Sequence, residues 1–394
     1  MFENMDKDFV LHSYGRNYVE FVKARGAKIY DAEGHEYIDF TSGIGVVSVG
    51  HANERVKDAI CDQASKIIHI SNLYLIPPQA ELAKSLVTKS GFDARCFFAN
   101  SGAEANEGAI KIARKYGEEG GLPKRYKVIT LKHSFHGRTI STLKATGQES
   151  MHNYFGPFPD GFVYAEDIDQ VESLLDDRTV AVMIELVQGE GGVEPQDKQK
   201  VLSLAKTLKR KDILLIVDEV QTGIYRTGEL LASNLYEIEP DIVTLAKGLG
   251  NGVPIGVVMT RLKDIFSPGD HGSTFGGNYL VTRAALEVVD ILCEYKDSGL
   301  LDEFMLYFEK ELKLLVKEYP HIVEKEVGLG LMRGLRIKSA DLLNSVIDNA
   351  FEEKVLVLKA GRNTLRFLPP LTISKEEVDE GFKRLRSAFD KIGA

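Results

Sequence analysis

The sequence predicts an open α/β fold, with a mostly parallel sheet between helices and a smaller α+β portion built from both ends of the chain. Three observations carry this. Short, almost unbroken apolar runs, Ile213 to Val217 and Ile242 to Ala246 among them, have the composition of parallel strands buried on both faces. Helical periodicity recurs between such runs, as in Lys198 to Lys211. Polar or charged residues follow the runs directly, where open α/β sheets bind ligands.

At 394 residues the chain is long for one compact unit, and two or three units are expected. The formal net charge of -9 gives no basic footprint, so nucleic acid is not an expected partner. Cys61, Cys96 and Cys293 are far apart and odd in number, which fits reduced thiols better than a disulfide framework or a zinc site. No structural metal is expected. The first residues lack the apolar core of a signal peptide and no run approaches a membrane span, so a cytoplasmic protein without membrane contact is the expectation.

In chain order, residues 17–40 alternate apolar and polar positions around turn signals at Arg25-Gly26 and Glu33-Gly34, predicting a small antiparallel element. After a glycine-rich turn, Val56, Ala59, Ile60 and Gln63 predict a helix from about Asn53, and Pro77-Pro78 opens another. Residues 96–116 read as a strand that turns through Ser101 and Gly102 into an amphipathic helix. Ser101 and Glu104 have capping-box spacing, which leaves free N–H groups around Ser101, Gly102 and Ala103 for an anion.

Residues 126–147 run from a strand into the polar loop Ser134 to Thr139. There Phe135 could stack on a flat ring and Arg138 could hold a carboxylate. Thr179 to Val187 predicts a further strand ending in a glycine loop that carries Glu190. Asp218 closes the next buried strand, where an acid requires a cation or donor opposite it. Lys247 closes the strand after that, among glycines. A partly desolvated lysine has a lowered pKa and supplies the neutral amine that Schiff-base chemistry requires. Two long amphipathic helices within 279–319, then short strands and a final helix, complete the chain.

Eight motifs appear in one order: HISNLY at 69–74, NSGAEAN at 100–106, SFHGRT at 134–139, LVQGEGG at 186–192, DEVQTG at 218–223, LAKGLGNGVPIG at 245–256, GSTFGGN at 272–278 and LRFLPPL at 365–371. Together they resemble the class III (omega) aminotransferases, pyridoxal 5'-phosphate enzymes of fold type I, and most of all their acetylornithine branch. The resemblance implies a large domain with a mostly parallel seven-stranded sheet over residues 51–280. It also implies a small domain from residues 1–50 and 281–394, and a homodimer with shared active sites.

The resemblance further implies roles. Lys247 would bond the cofactor and move the substrate proton, and Asp218 would hold the ring nitrogen protonated. Ser101, Gly102 and Ala103 would meet the phosphate, Phe135 the ring face and Gln221 the ring hydroxyl. Thr274 would reach the phosphate of the partner subunit's site, with Ser273 beside it near substrate. Arg138 would hold the alpha-carboxylate of N2-acetylornithine, and Arg366 that of glutamate or 2-oxoglutarate. Glu190 would pair with Arg366 when no carboxylate is there.

Some positions depart from the family's pattern. Glu185-Leu186 stands where proline commonly follows the glutamate, GHANERV at 50–56 departs from the usual GH-x-HP, and LMRGLRI at 331–337 lacks the acid often found near Leu335-Arg336. Ornithine enzymes of the family generally have a tyrosine near the position of Ile44, and isoleucine favours an acylated alpha-nitrogen. The implied reaction transfers the delta-amino group of N2-acetylornithine to 2-oxoglutarate. The alternatives are succinylornithine, ornithine, 4-aminobutyrate or acyl-diaminopimelate as amine donor, or a non-catalytic binding protein on the same fold. No strand is followed by GxGxxG, which argues against a nicotinamide dehydrogenase.

Overall fold

The computed structural model describes residues 2–119 and 124–392. Met1, Gly393 and Ala394, which belong to the outer portions expected above, lie outside the described residues. The central sheet has seven strands in the spatial order Arg95–Ala99, Gly256–Thr260, Ile242–Leu245, Leu214–Asp218, Thr179–Ile184, Lys127–Leu131 and Phe162–Ala165. Gly256–Thr260 alone runs against its two neighbours, and the other pairings are parallel. This is the mostly parallel seven-stranded sheet expected.

Burial explains the apolar runs. Every residue of Thr179–Ile184, Leu214–Asp218 and Ile242–Leu245 is buried, because helices cover both faces. The helix Gly102–Glu119 packs Ala105, Ala109, Ile112 and Ala113 on the sheet, and the three alanines bring its axis close. The register pairs Asp218 with Thr244, three positions before Lys247, so the acid and the amine reach the same sheet edge.

One strand ends earlier than its sequence suggests. The run Thr179 to Val187 divides after Ile184, and Val187–Gln188 pairs instead with Glu194–Pro195 as a separate ribbon. Glu185, rather than Glu190, therefore stands at the carboxyl end of the sheet strand. The physical reason is pairing: Thr179–Ile184 is paired with Lys127–Leu131 as far as Val182 and with Leu214–Asp218 as far as Ile184, and the chain then turns to meet its own return segment.

The chain ends assemble together. Phe21–Arg25, Lys28–Asp31 and Glu36–Asp39 form an antiparallel element whose last strand pairs in parallel with Val355–Leu356. Val323–Leu329, Met332–Ile337, Thr364–Phe367 and Leu358–Ala360 make another sheet, which places Arg366 in a paired strand beside Gly334. Phe40 joins these regions, with edge contacts to Phe308 and Phe367 at 5.3 and 6.2 Å.

Close backbone approach positions the turn at Ser101. A Cβ on Gly256 would lie 2.2 Å from Ser101 O, so a glycine is required there for the sheet edge and the following turn to meet. Gly256→Ala should cost about 1–3 kcal/mol of stability through overpacking. An unchanged denaturant midpoint would contradict this account.

Candidate active site

A cavity of about 400 Å³ opens at the carboxyl edge of the sheet. Its wall includes Ser101, Gly102 and Ala103, the loop Phe135 to Arg138, Glu185, Asp218, Gln221 and Lys247. Residues expected together from four separate motifs thus line one space.

Local structure explains each placement. The helix Gly102–Glu119 begins at the cavity, and Ser101 Oγ accepts from Glu104 N at 3.2 Å, half of the capping box. The other half differs from expectation. Glu104 Oε2 accepts from Asn100 N and Asn100 Nδ2, both at 2.8 Å, one residue before Ser101. The first N–H groups of the helix stay free for an anion. A Cβ on Gly102 would lie 2.7 Å from a Val220 methyl, so the helix end and the Asp218 loop approach through that glycine.

Asp218 is 4 % exposed and surrounded by donors. His136 Nδ1 and Asn106 Nδ2 each lie 2.8 Å from Oδ2, and Val220 N donates to Oδ1 at 3.0 Å. Asn106 is held by Thr244 Oγ1, which donates to its carbonyl at 2.7 Å, and by its own donation to His136 O at 2.7 Å. A carboxylate only accepts, so the proton of His136 belongs on Nδ1. Sequence reasoning expected a cation opposite Asp218 from the ligand. The protein's own His136 and Asn106 already serve one oxygen. Both lie in the quoted motifs, and a polar residue on the inward face of a packed helix, as Asn106 is, was the available signal.

Lys247 follows the strand Ile242–Leu245 with φ of 39°, a left-handed backbone that non-glycine residues rarely adopt. Ser48 Oγ donates to Gly248 O at 2.5 Å and holds that turn. Burial chiefly, and the nearby Arg366 charge next, keep the Lys247 amine below the usual lysine range. Glu185, missed as a site residue from sequence, accepts from Phe135 N at 2.9 Å and anchors the aromatic loop. Burial foremost, with Asp218 adding to it, pushes its carboxyl up to about 7. An acid directly after the apolar TVAVMI run was its signal.

Arg366 is buried in its strand, and its Nη1 lies 2.6 Å from Glu190 Oε1. Arg138 is exposed at the cavity, its guanidinium 5.6 Å from the Phe135 ring centroid. Glu190, Arg366, Ser273 and Thr274 are not among the residues that line the cavity. Ser273 Oγ accepts from Asn100 Nδ2 at 3.1 Å, and Thr274 is exposed.

The pocket fits a planar phosphorylated ring. Gln221 Oε1 and His136 Nε2 are buried without partners, the free helix end faces the cavity, and Lys247 stands beside it. Ser101, Gly102, Ala103, Phe135, Asp218, Gln221 and Lys247 are the residues that would hold pyridoxal 5'-phosphate.

Comparison with known proteins agrees with this geometry. The profile of the family described as aminotransferase class-III matches residues 10–389. The acetylornithine aminotransferase of Wolinella succinogenes is 63 % identical over 393 residues, covering 100 % of both chains. That of Aquifex aeolicus is 45 % identical, over 96 % of this chain and 99 % of its own. Among solved structures, ornithine aminotransferase from Toxoplasma gondii superimposes with a TM-score of 0.93 at 33 % identity, covering 100 % of this chain and 94 % of that one. N-acetylornithine aminotransferase from Stenotrophomonas maltophilia gives 0.83 at 32 % identity, covering 99 % and 98 %. By its motifs, its fold and these full-length matches, the chain belongs to the class-III aminotransferases.

Proposed function

We propose that the chain is a pyridoxal 5'-phosphate enzyme that transfers the delta-amino group of N2-acetylornithine to 2-oxoglutarate, giving N-acetyl-L-glutamate 5-semialdehyde and L-glutamate. The observation that carries this reading is the unequal state of two arginines. Arg366 is masked by Glu190 at 2.6 Å, whereas Arg138 is exposed beside Phe135 at the cavity. A carboxylate-bearing omega-amine can bind Arg138 while Arg366 stays masked, and glutamate can displace Glu190 from Arg366. The names of the relatives from Wolinella succinogenes and Aquifex aeolicus support the same substrate.

When bound, pyridoxal phosphate supplies an aldehyde that accepts the amino group and a ring that withdraws electrons. The chain's residues orient and protonate. The N–H groups of Gly102 and Ala103, with Ser101, hold the phosphate. Phe135 covers a ring face and Gln221 meets the ring hydroxyl. Asp218, fixed by His136 and Asn106, holds a proton at the ring nitrogen. Lys247 Nζ, kept more often neutral by burial, would take the proton from the substrate carbon that bears the amino group and pass it to the cofactor's carbon that receives that group. Arg138 holds the alpha-carboxylate of N2-acetylornithine so that its distant amine enters the site.

A homodimer completes the site in this reading. Leu73, Leu75 and Phe275 are 88, 92 and 60 % exposed, and Asn72 Nδ2 donates to Ser273 O at 3.1 Å, which ties the segment carrying the exposed leucines to the one carrying Thr274 and Phe275. These exposed apolar side chains support Thr274, with Ser273, serving the partner subunit's cavity. The division into residues 1–50, 51–280 and 281–394 is supported by the seven-stranded sheet lying within 95–260, while both four-stranded sheets draw on the outer segments. No helix among the described residues is long and apolar enough to cross a membrane, and a cytoplasmic place is part of the reading.

The high TM-score to the Toxoplasma gondii enzyme favours ornithine as the second reading. Ile44 weighs against it, since an apolar side chain in the turn Ser42–Gly45 offers a free alpha-amine no hydrogen bond. The deciding experiment follows the visible absorption of the holoenzyme. N-acetylornithine without any oxo acid should bleach it at a lower concentration than ornithine or 4-aminobutyrate. Preference for one of those amines would move the substrate, and no response to any amine would leave the binding-protein alternative.

Glu190→Ala should leave Arg366 unmasked, strengthening glutamate binding and slowing the N-acetylornithine half-reaction by roughly tenfold or more. Equal effects on both half-reactions would refute the exchange. Arg366→Met removes a positive charge near Lys247 and leaves Glu190 unpaired, and both changes favour the protonated amine. In the cofactor-free protein, the pH midpoint for reaction of Lys247 with added pyridoxal phosphate should therefore rise. A midpoint that falls or stays would refute the electrostatic assignment.

A further inference from the structure

Glu190 and Arg366 can exchange partners repeatedly only if their two backbones stay in place while the Glu190 side chain moves, and this inference rests on that reading of the pair. A residue without a role so far bonds the segment that follows Glu190 and the segment that precedes Arg366. Arg336, in the strand Met332–Ile337, stands where the family resemblance leads one to look for an acid. Its side chain is 9 % exposed. Nη1 donates to Arg362 O at 2.7 Å and to Thr364 Oγ1 at 2.6 Å. Nη2 donates to Glu194 Oε2 at 2.8 Å, with a longer contact of 3.4 Å to Gly192 O.

Residues 361–364 form the turn that leads into Arg366, and residues 192–194 form the exit of the loop that carries Glu190. The guanidinium therefore spans the seam between the two partners of the exchangeable pair. The seam is tight without it. Gly361 N donates to Glu190 O at 2.9 Å, and Thr364 Oγ1 lies 3.2 Å from Gly192 O. A Cβ on Gly192, whose φ is 118°, would lie 2.8 Å from Gly361 O and 2.9 Å from Arg336 Nη1. A simple ion pair would need only Glu194. Arg336 also engages Arg362 O and Thr364 Oγ1, which uses the planar fork that lysine lacks.

We propose that Arg336 is a positioning residue that clamps the Glu190 loop to the turn before Arg366, so that substrate exchange moves the Glu190 side chain alone. Neither Arg336 nor the Glu190–Arg366 pair is among the residues lining the cavity, and Arg336 acts on specificity through that pair. A loosened clamp leaves Arg366 less completely masked. This favours glutamate over N-acetylornithine, the same direction as loss of Glu190.

The test is a double-mutant cycle on the holoenzyme, with single-turnover half-reactions for N-acetylornithine and for L-glutamate. Arg336→Lys keeps a cation for Glu194 and loses the fork, and Glu194→Gln keeps the fork and loses the charge. Arg336→Lys should shift the ratio of the two half-reactions toward glutamate by about tenfold, with Glu194→Gln shifting it less in the same direction. On the Glu190→Ala background, Arg336→Lys should leave the ratio where that change put it. Equal slowing of both half-reactions, or an equal shift in ratio with and without Glu190, would overturn the proposal and make Arg336 a brace of the fold. Glu190→Ala failing to separate the half-reactions would instead overturn the exchange itself and the clamp with it. If Arg336→Lys does not fold, judged by melting and cofactor absorption, Glu194→Gln in the same cycle decides.

Discussion

Burying the Asp218 carboxylate at the end of an otherwise apolar strand is the constraint on which the site depends. A carboxylate without partners in that position would cost several kcal/mol. His136, Asn106 and Val220 N remove that cost, and each ties a different piece of chain to the strand end. His136 brings the loop that carries Phe135 and Arg138. Asn106 brings the second turn of the helix whose end faces the cavity. One buried charge thus fixes the relative positions of ring face, anion site and acid.

Lys247 and Arg366 extend the same logic to positive charge. A buried lysine beside an arginine is disfavoured as a cation, which is the state a proton-transfer amine must leave. Arg366 is paired with Glu190, whose Oε1 lies 2.6 Å from its Nη1, while its Nε is buried without a partner. The site therefore contains one ion pair and one amine that burial discourages from charging. Removing either member of the pair changes the environment of the amine as well.

Much of this was legible in the chain. Asp218 and Lys247 declared themselves because a charge directly after an apolar run has few structural explanations. Arg138, Phe135 and the helix start at Gly102 were visible as motif residues whose chemistry suits a flat anionic ligand. Glu185 escaped because the apolar run Thr179 to Val187 conceals a break after Ile184, and a change of pairing partner leaves no trace in hydropathy. The partnership of Asn106, Thr244 and Asp218 joins residues 112 and 26 positions apart, brought together by the packing of a helix on the sheet and by the parallel register of two strands. Thr274 was reached by resemblance alone, since nothing in its own stretch marks it. Arg336 was noted as a departure without a consequence, because its contacts cross between loops that sequence spacing does not relate.

The pairing of Glu36–Asp39 with Val355–Leu356 bears on how the chain is made. Backbone bonds from Ile38 N to Lys354 O and from Phe40 N to Leu356 O join positions more than 300 residues apart. During synthesis the first strands emerge long before their partner, and their edge stays open until residue 356 has left the ribosome. Such an edge is a template for association with other chains. The strand that waits, Glu36–Asp39, begins and ends with an acid, so a charged residue stands at each end of the open edge. Nascent chains stalled short of that point should be the ones that need a chaperone's cover.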